Sequence, residues 1–283
     1  MGTQKIRKRR GDRYDASRVA TPHDLNAMFP YLMKGRNDSI AYYPMSIQVE
    51  NLLKYMEDNK GTDKEITIFQ AVMLSLLKVL RERPNLNRYV SGRRLYQRHN
   101  VVFSFIARRK IEEDSPETNV LVTIKPEDDR ATAIAKLKGE IRVAKAGDSK
   151  DDDEMVSLFL KLPRGILRFA IKLLEWWDFY FDTPRFLRGL DPLRCSVYLA
   201  NLGSVGMGAP YHHLFEWGTC SLFVCVGKIK PTVVVGEDGQ PTVRRTMDLR
   251  ISLDERIADG FYDAKALDLL EKYLEDPSLL EDL

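Results

Sequence analysis

The sequence predicts an α+β fold, a mixed sheet with flanking helices, and three observations carry this prediction. One long stretch has apolar residues at helical spacing, two short stretches are β-branched and aromatic, and the chain beyond Cys195 is nearly all β in pattern. The 283 residues can bury a full core, and 44% hydrophobic and 30% charged content is ordinary for a soluble globular protein. We expect a single domain over residues 13–283.

The amino-terminal half predicts one long helix followed by a pair of strands. Residues 66–83 carry apolar side chains at helical spacing, and Pro84 ends the helix because proline cannot extend one. Residues 101–106 and 120–124 are runs of β-branched and aromatic residues, which is typical of strands. The charged stretch 111–118 between them is expected to form a hairpin loop.

The carboxyl-terminal half predicts a helix, a series of strands and a final helix. Residues 131–146 are rich in helix formers, and the acidic run 151–154 beyond them is expected to be a flexible crossing. Turn residues at 236–240 favour a hairpin, and residues 263–274 place apolar side chains on one side of a closing helix. The stretches with strand patterns are residues 196–202, 220–226, 231–235 and 242–253.

Charge and cysteine content exclude several classes of protein. A formal net charge of +3 is too small to imply a nucleic-acid partner, and the cations near the amino terminus predict a solvated basic arm at residues 1–12 with no catalytic duty. Cys195, Cys220 and Cys225 form no Cys-x-x-Cys pair, which indicates buried free thiols in a cytoplasmic protein. Since no run of 18 uncharged apolar residues occurs, we expect no transmembrane helix.

Residues 158–181 form an amphipathic segment within a helical insertion predicted at about 155–190. Cations recur there at steps of three and four residues, opposite apolar side chains, and aromatic residues follow at 176–181. The cations are Lys161, Arg164, Arg168 and Lys172. We expect the segment to pack against a neighbouring subunit, because exposed apolar patches usually mark protein contacts. Peripheral contact with a membrane, or binding of an acyl chain, is the alternative.

Residues 252–260, Ser-Leu-Asp-Glu-Arg-Ile-Ala-Asp-Gly, match an acyl-transfer active-site motif at most positions. They resemble the His-x-x-x-Asp-Gly signature of the chloramphenicol acetyltransferase-like superfamily, especially the acyltransferase core of 2-oxoacid dehydrogenase complexes, where Ser-x-Asp-His-Arg-x-x-Asp-Gly is usual. Residues 201–206, Asn-Leu-Gly-Ser-Val-Gly, resemble that family's Leu-Gly-x-x-Gly turn, and 84–87, Pro-Asn-Leu-Asn, its Pro-x-Leu-Asn. The resemblance covers roughly residues 13–277 and implies a chloramphenicol acetyltransferase-like two-layer mixed sheet.

The resemblance implies a coenzyme A-dependent acyltransferase that works as a homotrimer, with active sites between subunits. The predicted function is transfer of an acyl group from acyl-CoA to an unidentified small-molecule acceptor. A catalytically inactive trimeric scaffold, or a homologue that binds an acyl ligand, is the alternative. Members that serve in dehydrogenase complexes carry a lipoyl domain ahead of the core, and because this chain begins its core almost at once we expect no swinging-arm role.

Glu255 stands where the family has its catalytic histidine. Free imidazole, with a pKa of about 6.5, is a better base at neutral pH than a free carboxylate with a pKa of about 4.3. Glu255 is therefore either an altered base whose pKa burial must raise, or a partner of Arg256 or another cation that holds the loop, and we prefer the pairing. Asp259 and Gly260 keep the family pattern and are expected to be structural, with the aspartate paired to an arginine and the glycine permitting a tight turn.

Three further residues are candidates for the site. Asn201 precedes the Leu-Gly turn and could donate a hydrogen bond to an oxyanion, or it simply ends a strand. His213, and after it His212, could replace the missing base, although structural histidines are the default. If they lie on a strand, only one of the pair can face a given cavity. Glu216 nearby hints at a metal site, but the spacing does not favour one and we expect none.

Overall fold

The computed structural model describes residues 9–20, 25–108, 117–146, 161–184, 188–189, 191–236 and 238–283. The strands in these ranges are β1 (Ala16–Arg18), β2 (Ile40–Gln48), β3 (Arg88–Ser91), β4 (Arg94–Arg98), β5 (Val101–Arg108), β6 (Glu117–Ile124), β7 (Val197–Asn201), β8 (Leu222–Val235) and β9 (Pro241–Asp254). The helices are α1 (Phe29–Leu32), α2 (Glu50–Asp58), α3 (Ile68–Glu82), α4 (Arg130–Ala146), α5 (Arg164–Tyr180) and α6 (Gly260–Glu275).

Six strands form the main sheet in the order β2-β9-β8-β7-β5-β6. The sheet is mixed, because β7 runs parallel to both β5 and β8 while the other neighbours are antiparallel. A second sheet has three short strands in the order β1-β4-β3.

The two faces of the main sheet are covered differently. On one face, which we call the helix face, strand residues such as Leu199, Val226 and Ile251 join the main hydrophobic core with α3, α4 and α6. On the other face, which we call the open face, Tyr198, Phe223 and the three cysteines form a smaller cluster. All three cysteines are buried and unpaired, as the sequence predicts.

α3 shows how the sequence sets these elements. Thr67 caps its first turn by accepting a hydrogen bond from the Gln70 N–H, while the Gln70 side chain accepts one from the Thr67 N–H, which satisfies two otherwise orphan donors. Ten of its 15 residues are buried, and Pro84 follows its last turn. The helix thus lies at the centre of the helix face.

The predicted helices and strands are present, with differences of detail. The two runs predicted as separate strands at 220–226 and 231–235 belong to the single strand β8, whose pairing with β9 shifts between Val226 and Ile229. Residues 117–118 belong to β6 rather than to a loop. The remainder of the predicted loop at 111–116, the acidic run 151–154 and residues 1–8 of the basic arm lie outside the described residues.

Arg13, one of the amino-terminal cations, is inside the fold. Its guanidinium is buried and lies 2.9 Å from the Asp178 carboxylate near the end of α5. Arg194 contacts the same carboxylate at 3.0 Å. These contacts fix α5 to the body of the domain. Within the described ranges, no helix has the length and apolar character that crossing a membrane requires.

Candidate active site

The loop after β9 is held by an ion pair between Asp254 and Arg256. Both are buried, and the guanidinium Nε and Nη2 each lie 2.7 Å from one oxygen of the Asp254 carboxylate. Ser39 Oγ donates a further hydrogen bond to the same carboxylate, and Arg256 Nη1 donates to the Met33 carbonyl oxygen. The expectation that Glu255 pairs with Arg256 is therefore wrong, because the bidentate geometry of the guanidinium is already used by the neighbouring aspartate.

Glu255 itself is exposed. Its backbone N–H donates to the Ser39 carbonyl oxygen at 2.9 Å. Its side chain forms no ion pair with any described residue. Its negative charge acts on Tyr43 and Asp263, which lie close to it on the helix face. The residue at the position of the family's histidine is thus free to meet a partner from outside the protomer.

Asp263 and Tyr43 are site neighbours that the sequence did not reveal. Burial raises the pKa of Asp263 to about 6, and the charges of Asp259 and Glu255 add to the effect, although the Tyr43 hydroxyl hydrogen-bonded at 3.4 Å opposes it. Burial beside this carboxylate raises the pKa of Tyr43 to about 12. The remaining oxygen of Asp263 has no hydrogen-bond partner among the described residues. Its sequence position inside a helix gave no sign of this environment.

Asp259 and Gly260 begin α6. The Asp259 side chain accepts a hydrogen bond from the Tyr262 N–H at 2.9 Å, so it caps the helix and forms no ion pair with an arginine in the described part of the chain. Gly260 is the first helical residue, its φ is not in the left-handed region, and a Cβ there would meet no atom within 4 Å. Asp259 and Gly260 thus form the start of a helix, and the described residues show neither the expected arginine pair of Asp259 nor the expected tight turn at Gly260.

His212 and His213 lie on the open face of the sheet. The His212 ring stacks on Phe223 with centroids 4.0 Å apart, and the His213 ring stacks on His212 at 4.6 Å. The segment that carries them is irregular rather than a strand, so strand alternation does not apply and the two stacked rings lie on the same side of the sheet. His212 is half-buried and His213 is exposed.

Hydrogen bonds set the tautomer of both imidazoles. Nδ1 of His212 donates to the His213 carbonyl oxygen at 2.7 Å, and Nδ1 of His213 donates to the Leu214 carbonyl oxygen at 2.9 Å. A carbonyl oxygen can only accept, so Nδ1 carries the proton in each neutral ring and Nε2 keeps its lone pair. Ser252 Oγ of the signature strand donates to the His212 carbonyl oxygen and ties this segment to β9. The exposed His213 thus presents an available base.

Glu216, which the sequence placed near the two histidines as a possible metal ligand, instead accepts hydrogen bonds from a neighbouring loop. Its carboxylate accepts hydrogen bonds from the N–H groups of Arg36 and Asn37, each at 2.9 Å, and from the Asn37 side chain. Burial alone would raise the pKa of Glu216, but these hydrogen bonds hold it below its ordinary value. In the described ranges, no group of three or more His, Cys, Asp or Glu side chains could hold a metal ion.

Asn201 ends β7 and opens the Leu-Gly turn. Its carbonyl oxygen accepts a hydrogen bond from Ser204 Oγ at 2.7 Å, and the turn closes at Gly206 with a φ of +77°. Gly203 in this turn lies against β8, where a Cβ would come within 2.6 Å of the Gly227 carbonyl oxygen. The turn predicted from the sequence is present and needs glycine at this position.

The candidate residues do not converge within one protomer. Asn201 is level with Val226 on β8 and Leu249 on β9, six residues before Glu255, which corresponds to about 20 Å along the strands. Strand alternation places Asn201 on the helix face, whereas His212 and His213 lie on the open face. Within one protomer, the candidate bases are therefore too far from the candidate oxyanion donor, or on the wrong face, to contact the same substrate.

The fold is that of the acyltransferase cores of 2-oxoacid dehydrogenase complexes. A probable dihydrolipoamide acetyltransferase from Listeria monocytogenes 4b F2365 is similar over 90% of this chain and 94% of its own, with a TM-score of 0.58 and 17% identity. The cubic core of a pyruvate dehydrogenase multienzyme complex is similar over 90% and 87%, with a TM-score of 0.60 and 14% identity. The chloramphenicol acetyltransferase-like fold predicted from the sequence is thereby confirmed.

Residues 195–281 match the family model of the 2-oxoacid dehydrogenases acyltransferase (catalytic domain), so the family resemblance seen in the sequence is confirmed. A dihydrolipoamide acetyltransferase of Azotobacter vinelandii, in which a serine, a histidine and an asparagine were studied for their role in the catalytic mechanism, is similar over 90% of this chain and 87% of its own. Its TM-score is 0.59 at 14% identity. No curated protein sequence matches the chain.

Proposed function

We propose that this protein is a coenzyme A-dependent acyltransferase with an altered base, in which His213 takes the place of the family's histidine. The observation that supports it most is the exposed His213 ring, whose Nδ1 donates to the Leu214 carbonyl oxygen and whose Nε2 has no hydrogen-bond partner among the described residues. A free imidazole nitrogen is suited to general base catalysis near neutral pH. The acyltransferase-core fold, together with the family match over residues 195–281, supports acyl transfer as the reaction type.

The chemistry needs one proton to move twice. His213 Nε2 removes the proton of the acceptor's thiol, hydroxyl or amine, and the acceptor atom attacks the thioester carbonyl carbon of acyl-CoA. The bond between carbon and sulfur then breaks, and the imidazolium returns the proton to the departing coenzyme A thiolate. The Asn201 amide, supplied by a neighbouring protomer, would donate to the oxyanion in between.

A homotrimer is part of this proposal. Within a protomer Asn201 and His213 lie on different faces of the sheet, so a shared site is the arrangement that lets both contact one substrate. The similar pyruvate dehydrogenase core assembles into a cubic particle, which shows that this fold supports self-association in that protein.

Glu255 and Asp259 have the same spacing, four residues, as the histidine and asparagine studied in the Azotobacter enzyme.

A catalytically inactive scaffold or acyl-ligand-binding protein is the second candidate. The observation that favours it is the environment of Glu255, which is exposed beside Asp259 and Asp263 and contacts no imidazole among the described residues. A carboxylate among other carboxylates attracts no substrate anion and holds no oxyanion. Under this alternative the histidine stack only supports the segment over Phe223.

The release of free coenzyme A thiol from a panel of acyl-CoA donors and acceptors tests the proposal. His213→Ala should lower kcat/KM by roughly 100-fold or more, whereas Glu255→Gln should change it little. His99→Ala is the matched control, because this imidazole hydrogen-bonds Ser17 of β1, which belongs to the other sheet. Binding of acyl-CoA without turnover in the unsubstituted protein would favour the inactive alternative, and equal turnover by His213→Ala would remove His213 from the mechanism.

A further inference from the structure

Helix α5 presents three distinct faces. Its half-buried side chains, which lie toward the body of the domain, are Leu167, Ala170, Leu174 and Asp178. Its outward apolar face is formed by Ile166, Phe169, Leu173, Trp176 and Tyr180. Phe169 is 68% exposed, Tyr180 60% and Trp176 51%. Apolar side chains of a helix that packs on a core are far less exposed than this.

The cations of α5 and the turn before it form the third face. At 100° per residue, Arg164, Arg168 and Lys172 fall in one stripe, about 120° around the axis from both the apolar face and the body face, and Lys161 lies in the turn that precedes the helix. Glu175 is the acidic side chain on that stripe. The helix therefore carries an apolar stripe and a cationic stripe side by side along its length.

The helix is held firmly in this orientation at its carboxyl-terminal end. Asp178 bonds Arg13 and Arg194, both of which are buried, and the Gly92 backbone fits against the Phe179 carbonyl, where a Cβ would lie 2.2 Å from the oxygen. These contacts are all on the body side. The apolar face consequently stays turned away from the domain.

We propose that α5 docks the protein on an anionic membrane surface, with its apolar face among the acyl chains and its cations at the lipid headgroups. An anionic bilayer offers an apolar interior and a negative layer side by side, which is the pattern that the two stripes complement. Trp176 and Tyr180 have rings suited to the interface, being apolar with one polar atom. The helix does not span the bilayer, and the proposal does not depend on acyl transfer.

A second copy of the chain fits the same face less well. It would have to bring acidic side chains against the cationic stripe. On α6 the exposed Asp268 is already paired with Lys265, and Glu271 lies next to Lys272, while the outward side of α4 is itself cationic. Its exposed cations are Lys138, Arg142 and Lys145. A lipid surface matches the apolar and the cationic stripe together.

Co-sedimentation of the full chain with vesicles tests the proposal. We expect binding to vesicles of phosphatidylcholine mixed with phosphatidylglycerol, and little binding to phosphatidylcholine alone. Each cation near an anionic surface strengthens binding about fivefold, so loss of three cations in the triple variant Arg164→Glu, Arg168→Glu, Lys172→Glu should weaken binding by at least about 100-fold, and the added carboxylates should weaken it further. Phe169→Ser with Trp176→Ser should also reduce binding at least tenfold, because it removes two large apolar side chains from the bilayer.

Matched controls exist elsewhere on the chain. The triple variant Lys138→Glu, Arg142→Glu, Lys145→Glu changes the net charge equally on α4, and Val235→Ser removes another exposed apolar side chain at a hairpin end. Both should bind vesicles like the unsubstituted protein. Circular dichroism and thermal melting establish that each variant is folded.

Three results would overturn the proposal. The first is an unsubstituted protein that stays in the supernatant with anionic vesicles, and the second is equal loss of binding in the α4 and α5 charge variants. The third is a change of oligomeric state, seen by light scattering, in Phe169→Ser with Trp176→Ser, together with no vesicle binding by the parent. That result would assign the face to a contact between copies of the chain.

Discussion

At the scale of single residues, the signature loop depends on the Asp254–Arg256 ion pair. The pair is buried and bidentate, and Ser39 and the Met33 carbonyl satisfy further polar atoms around it. Removing one partner leaves the other charged and buried, which is far more costly than losing an exposed ion pair. Glu255, which lies between them in sequence, contributes no ion pair to this support among the described residues.

Asp254→Asn should therefore lower the free energy of unfolding by about 3–5 kcal/mol, measured by urea denaturation. Asp58→Asn is the matched control, because it breaks the exposed pair of Asp58 with Lys54 four residues earlier. That control should cost no more than about 0.5 kcal/mol. A loss below about 1 kcal/mol for Asp254→Asn would contradict the role given to the buried pair.

The raised pKa of Asp263 predicts that the free energy of unfolding depends on pH. Its folded pKa, raised by burial to about 6, lies above its value in the unfolded chain, so the ionised carboxylate destabilises the fold above that pH. Asp263→Asn should then be more stable than the parent by about 1–2 kcal/mol at about pH 7.5. The difference should shrink as the pH falls from about 6 to about 4, because the folded parent takes up a proton while its unfolded chain is still ionised.

Urea denaturation of both proteins across this pH range measures the effect, and the difference between them isolates Asp263 from other titrating groups. Tyr43→Phe serves as a control for the lost hydrogen bond, since it removes the hydroxyl that contacts the carboxylate. A constant difference at all pH values would indicate that the titration of Asp263 does not contribute.

At the scale of elements, sequence periodicity predicted those helices and strands whose local preference agrees with the contacts they make in the fold. α3, α4 and α6 follow apolar spacing and helix formers, and β5 and β6 follow β-branched runs. β2 escaped prediction because Pro44 interrupts its pattern, which is tolerated since β2 is an edge strand paired only with β9 in the main sheet.

The site could be predicted in part. The signature loop, the Leu-Gly turn and the histidine pair were evident as sequence motifs. The partner of Arg256 was not, because residues 254 and 255 are both acidic and only the strand geometry decides which one faces the guanidinium. The environment of Asp263 was not either, since it depends on Tyr43, which comes from a strand 220 residues away in the chain.

Two glycines should respond in opposite ways to alanine. Gly203→Ala places a Cβ against the Gly227 carbonyl oxygen, with both atoms in backbone that cannot move freely, and should destabilise the fold by about 1–3 kcal/mol. Gly139→Ala lies within α4 with open space around it and should stabilise by about 0.5–1 kcal/mol. Thermal unfolding of the two variants checks both signs, and stabilisation by Gly203→Ala would contradict the close packing of the turn on β8.

At the scale of the whole molecule, the central claim is that the active site is shared between protomers. In one chain, strand alternation places Asn201 on the helix face, and the imidazole stack lies on the open face. A symmetric ring contact would bring the turn of one protomer to the histidines of the next.

Complementation between two inactive variants tests this claim most directly. Asn201→Ala and His213→Ala are each expected to be nearly inactive, and co-refolding them in equal amounts should restore roughly a quarter of the unsubstituted activity, since a quarter of randomly formed interfaces pair an intact Asn201 with an intact His213. The measured quantity is the rate of coenzyme A thiol release. A mixture that stays as inactive as either variant alone, although light scattering shows mixed oligomers, would contradict the shared site.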